Sequence, residues 1–133
     1  MSYIKNWVDD PQKKWSVDLD SSKYYLVLTN DMDSYLSCLI LKNKFCVQIG
    51  GFYDFHGLYI NPEITTGKEP IYVDCDLTEG KCFGNHYQHT NNPQAINLNN
   101  GVEKYTDKYA GSTLLMVCWL YDVDIKKYPK EIA

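Results

Sequence analysis

Two pairs of carboxylates define the chemistry this chain could perform. Asp31 and Asp33 stand two residues apart just after the apolar run 24–28, and Asp74 and Asp76 stand two apart at the end of Ile71-Tyr72-Val73-Asp74-Cys75-Asp76. A polar segment with two imidazoles, Asn85-His86-Tyr87-Gln88-His89, follows the second pair. Carboxylate oxygens beside an imidazole nitrogen form a borderline-to-hard donor set, suited to manganese, magnesium or sometimes zinc. Two such ions can polarise a phosphate and activate a water between them. The same residues have plainer uses. Asp31, Asp33 and Ser34 lie where a helix should start, and Asp and Ser are usual helix caps. His86 and His89 could simply face solvent from a loop.

The elements that would position these groups follow from the spacing of apolar residues. Residues 1–23 mix charge with Trp7, Trp15 and Val17 and read as an extension that lays its tryptophans on the core, with a short strand at 15–19. The β-branched and aromatic run 24–28 predicts a buried strand. Leu36, Leu39, Ile40 and Leu41 then fall at near-helical spacing, so a helix is expected over about 33–43. A second strand is expected at 45–49, ended by a turn at Gly50-Gly51. Residues 57–60 could form a short strand, Pro70 opens a third long one, 77–94 reads as a polar loop, and 95–99 is a further short strand. Residues 109–123 predict a buried helix whose start, Gly111-Ser112-Thr113, permits close approach and capping. This order is an α/β pattern with a mostly parallel sheet. Acids then sit at the carboxyl ends of two strands, the edge where open α/β sheets bind ligands.

The totals narrow the choice of function. At 133 residues with 44% hydrophobic residues the chain suits one domain with a single core. Net charge is −4 and all 13 basic residues are Lys, so the bidentate phosphate grip of Arg is missing. A surface for long nucleic acid is therefore not expected, whereas a phosphorylated small molecule or short oligonucleotide remains compatible. The five cysteines form no CxxC pair and three lie in apolar runs, which points to a reduced, cytoplasmic setting. No apolar stretch reaches the roughly 18–20 residues of a membrane span.

The motifs resemble a known family. Asn30-Asp31-Met32-Asp33-Ser34-Tyr35-Leu36-Ser37-Cys38 looks like the first motif of the DHH phosphoesterases, and Tyr72-Val73-Asp74-Cys75-Asp76 is similar to their second. Asn85 to His89 looks like a degenerate form of the name-giving Asp-His-His, and 108–121 resembles the helix that follows it. The resemblance spans about residues 24–122 and rests on the order and spacing of the motifs. It implies a Rossmann-like three-layer domain that hydrolyses phosphodiester or pyrophosphate bonds with manganese (or magnesium), two ions being possible. Asp31, Asp33, Asp74 and His86 would be the catalytic metal ligands, with Ser34, Asn85 and His89 near the substrate. The chain departs from the family at Val27, where many members have His, and at Asn85, where the family has Asp. The family's usual second domain has no room within these 133 residues, so either the sequence is a piece of a longer protein or the fold is kept without the usual chemistry. A catalytically inactive relative that works by binding, such as a phage or mobile-element inhibitor or sequestering protein, is the alternative.

Three further patterns suggest other chemistries. Asp74-Cys75-Asp76-Leu77-Thr78 matches the DxDxT loop of haloacid-dehalogenase-type phosphatases, but lies far from the start of the chain. Cys75, Cys82, His86 and His89 form a possible zinc set with an unusually long first spacing. Residues 51–60 are dense in aromatics, which suits a protein interface or base stacking as well as a covered core, so a protein partner is the second expectation.

Overall fold

The fold is that of a computed structural model, which describes residues 3–86, 91–98 and 112–124. Its frame is a six-stranded mixed sheet: β1 (Tyr24–Thr29), β2 (Ile49–Tyr53), β3 (Leu58–Ile60), β4 (Glu69–Val73), β5 (Cys82–Phe83) and β6 (Ala95–Ile96). The spatial order is β3-β2-β1-β4-β5-β6. All neighbours run parallel except β3, which is antiparallel to β2. The helices are α1 (Met32–Phe45), α2 (Pro62–Thr65) and α3 (Thr113–Leu120), with 3-10 turns at Tyr3–Trp7 and Lys14–Ser16. This is an α/β architecture with a mostly parallel sheet, as the sequence pattern predicts.

One face of the sheet carries the main core. Leu26, Ile71, Val73, Phe83 and Ile96 meet Ile40 and Leu41 of α1 and Met116, Val117 and Leu120 of α3. Tyr25 and Val27 alternate with Leu26 and so lie on the other face, where Tyr25 sits close to α2 beside Gly50. The N-terminal extension does cover the core: Trp15 is buried, meets Phe83 edge-on at 5.3 Å between ring centroids, and donates its indole N–H to Gln94 O. Tyr121 closes the same region by donating its hydroxyl to Ser16 O at 2.6 Å.

Several local expectations are corrected. The segment around Trp15 forms a 3-10 turn in place of a strand. Helix α1 runs on through Phe45 and stops only at Cys46, whose left-handed backbone (φ 61°) ends it. The second strand therefore starts at Ile49, and Gly50-Gly51 lie inside it. Glycine is needed at position 50 for a tertiary reason: a Cβ there would stand 2.7 Å from Thr65 Cγ2 and 2.9 Å from Tyr25 Cδ2. The supposed loop 77–94 contains β5, which at two residues is too short to show a period. Strand β6 ends at Ile96, and the described part of the last helix begins at Thr113. No helix among the described residues is long and apolar enough to cross a membrane.

Candidate ligand site at the carboxyl edge of the sheet

The chain leaves β1 through α1 to reach β2 on one side, then returns past β3 and α2 to β4 on the other side of β1. The strand order thus reverses between β1 and β4, and the carboxyl ends of these two parallel neighbours flank the reversal. In open α/β sheets the crevice at such a switch point is where ligands bind. Asp31 and Asp33 follow β1, and Asp74 follows β4.

Hydrogen bonds fix each group. Ser34 is fully buried; its hydroxyl donates to Val73 O at 2.8 Å and accepts from the Thr29 N–H at 2.9 Å. It therefore ties the first turn of α1 to the ends of both strands, and the expected substrate contact becomes an internal strut. Asp31 caps α1, its Oδ1 accepting from the Asp33 N–H at 2.9 Å. Asp33 reaches across to α3, where Oδ2 accepts from the Thr113 N–H at 2.9 Å and Oδ1 from the Leu114 N–H at 2.8 Å. A carboxylate at a helix start meets unpaired N–H groups and the positive end of the helix dipole. Ser112 completes that start by accepting from the Leu115 N–H at 3.1 Å.

Asp74 is the least comfortable member. It is buried, and its backbone lies in the left-handed region (φ 62°), which Asp tolerates better than most residues. The Thr113 hydroxyl donates to its Oδ1 at 2.8 Å, and Thr113 Oγ1 also lies 3.2 Å from Asn85 Oδ1. Burial pushes the Asp74 carboxyl up from 3.8 to about 6. The hydrogen bond from Thr113 works against that rise, the charges of Asp33 and Asp31 add to it, and His86 opposes it. Asp31, Asp33 and His86 are thus each close enough to Asp74 to act on its charge.

His86 is held by a partner that the sequence reading left unassigned. Its Nδ1 lies 2.5 Å from Asp76 Oδ2, and the Asp76 side chain is only 5% exposed while that of His86 is 65% exposed. Asn97 donates to Asp76 Oδ1 at 2.7 Å and to His86 O at 3.1 Å. Gly84 makes room, since a Cβ there would overlap both carboxylate oxygens of Asp76. That glycine was the only trace of the arrangement in the sequence. Asn85 is buried against Thr113, and His89 lies outside the described residues.

The donor chemistry fits a hard divalent cation, but several of the oxygens already have protein partners. Among the described residues no three His, Cys, Asp or Glu side chains are arranged as a ready metal cage. Each hydrogen-bonded carboxylate oxygen keeps a second lone pair, and Asp31 Oδ2 and Asp74 Oδ2 have no partner among the described groups. Of the zinc alternative, Cys75 and Cys82 are buried, His86 is paired with Asp76, and His89 lies outside the described residues. No protein-family model, curated protein or solved structure matches the chain.

Proposed function

We propose that the crevice between the ends of β1 and β4 binds a divalent cation together with a phosphorylated ligand, and that the protein acts as a phosphoesterase on a phosphodiester or nucleotide. The arrangement that supports this most is the meeting of Asp31, Asp33 and the buried Asp74 at the ends of β1 and β4, where burial first, and then Asp33 and Asp31, push the Asp74 carboxyl up to about 6. Like charges gathered on two strand ends cost stability unless something positive comes between them. Asp31, Asp33 and Asp74 would hold a manganese or magnesium ion, with His86 beside them. Such an ion, once bound, polarises a phosphoryl oxygen and lowers the pKa of a bound water. The chain's own share is positional. Ser34 locks the strand ends together, Asp33 aligns α3 with α1, and Thr113 orients Asp74. A DHH-like, Rossmann-like domain is the family expectation consistent with this layout.

The test is calorimetric titration with manganese of wild type and Asp74→Ala. Saturable binding that disappears in the variant is the expected result, followed by hydrolysis of short oligonucleotides or cyclic dinucleotides. No heat of binding at millimolar manganese would refute the proposal.

A second reading, recognition of another protein without catalysis, draws on a different surface. Strand β3 lies at the outer edge of the sheet, and Leu58, Tyr59 and Ile60 are all exposed, as is Phe55 before them. Exposed apolar edges are unusual unless covered by a partner. On this reading Asp31→Ala and Asp74→Ala would be harmless and Tyr59→Ala would abolish function. Tyr53 is a poorer probe, being half-buried between Phe55 and Tyr72.

A further inference from the structure

The amino edge of the sheet, opposite the acids, holds a cavity of about 380 Å³. One wall is made where strands begin: Tyr24 opens β1 with Lys23 just before it, Lys81 immediately precedes β5, and Gln94 immediately precedes β6. The N-terminal extension makes the other wall through Lys14, Trp15 and Asp18. The length of β1, roughly 16 Å for six residues, separates this cavity from the carboxyl edge. Its volume is that of a small-molecule site.

The cavity carries both signs of charge beside an aromatic surface. Lys81 is the inward group. Its side chain is only 12% exposed, and its Nζ donates to Glu69 Oε2 at 2.6 Å and lies 5.7 Å from the centre of the Tyr24 ring. An ammonium has three N–H donors, and among the described residues only Glu69 accepts from this one. Lys14 and Lys23 are exposed, and their side chains make no hydrogen bond or ion pair among the described residues. Asp20 Oδ1 already accepts from the Ser22 N–H at 2.9 Å and the Ser22 hydroxyl at 2.6 Å, whereas Asp18 has no such partner among the described residues. Counting Glu69, three lysines face three acids, so the surroundings are neutral in sum but offer separate positive and negative contacts. Trp15 gives its indole N–H to Gln94 O, so what its ring presents to the cavity is apolar surface.

We infer that this cavity binds a small zwitterion, a free amino acid with an aromatic side chain, its carboxylate met by the lysines, its ammonium by Asp18, and its ring by Trp15 and Tyr24. A ligand of net charge zero with one group of each sign satisfies the balance that a simple anion or cation would upset, because each would leave the opposite set of charges facing it unpaired. Ammonium and carboxylate groups on one ligand also make charge-assisted hydrogen bonds, the stronger kind. The site is independent of the cation crevice at the other edge and stands or falls without it.

The test is titration of isotope-labelled protein with L-phenylalanine, followed by the NMR signals of the Trp15 indole N–H and the Tyr24 and Lys81 amides. Saturable shifts of these signals at millimolar ligand are expected. 3-Phenylpropionate, which lacks the ammonium, and phenethylamine, which lacks the carboxylate, should each bind about tenfold or more weakly. Asp18→Asn and Lys23→Gln, both at exposed positions where folding is not at stake, should weaken phenylalanine binding, and Lys81→Gln should weaken it most. No saturable shift at these residues, equal binding of either singly charged analogue, or unchanged affinity in all three variants would overturn the inference.

Discussion

Replacing Asp74 by Asn should make the protein more stable at neutral pH, and the gain should vanish in acid. Asn accepts the same hydrogen bond from the Thr113 hydroxyl and tolerates a left-handed backbone at least as well as Asp, so the substitution removes charge and little else. The sign follows from proton counts. Burial and the neighbouring carboxylates raise the native carboxyl from 3.8 to about 6, so between these values folded Asp74 keeps a proton that the unfolded chain has released. Stability from this residue is complete below about 3.8 and is lost as pH rises through about 6. A rise of that size corresponds to roughly 3 kcal/mol between protonation states. Screening by water and salt at the open edge of the sheet reduces the expected effect to about 1–2 kcal/mol. Urea unfolding of wild type and Asp74→Asn at pH 4, 5, 6, 7 and 8, followed by tryptophan fluorescence, isolates Asp74 from the other carboxylates. The stability difference should be near zero at pH 4 and favour the variant by about 1–2 kcal/mol at pH 7. A flat difference, or one that favours wild type as pH rises, would refute the reasoning. Adding manganese at about 100 times its dissociation constant should then stabilise wild type by about 2.7 kcal/mol, and the variant by much less. A carboxylate kept in place against stability is what a working site leads one to expect.

Two further perturbations probe the supports of the site. Asp33→Ala removes two charge-assisted hydrogen bonds from the start of α3, and should lower the unfolding free energy by about 2–3 kcal/mol. The loss of the Asp31 cap in Asp31→Ala should cost only about 1 kcal/mol; equal, small losses would mean that Asp33 does not clamp α3. All five cysteines are free and only Cys46 is exposed, while burial pushes Cys38 up to about 12 and Cys75 and Cys82 to about 11. A thiol reagent at pH 8 should therefore label one equivalent quickly and the remainder only on unfolding; a rapid burst of several equivalents would contradict the packing around α1 and β5.

The local pattern alone determined a good deal of this protein. The apolar run 24–28, the helical spacing after Asp33 and the acids beyond each strand were legible because alternation, helical period and caps are written in neighbouring residues. They placed Asp31, Asp33 and Asp74 on one edge of a mostly parallel sheet. Other features depended on partners far away in the chain. Gly50-Gly51 has the composition of a turn, yet lies within β2 because α2 and Tyr25 crowd Gly50. Ser34 looked like a ligand contact until its hydroxyl was found bridging Thr29 and Val73. Thr113 stands 39 residues from Asp74, and the bond that sets the carboxyl's environment forms only when α3 docks on α1. The pairing of Asp76 with His86 likewise needs β5 beside β4, with Asn97 closing it from just beyond β6. Sequence supplies the groups and their periodicity; which lone pair, hydroxyl or ring nitrogen each one meets is a matter of long-range packing, which no short window of residues contains.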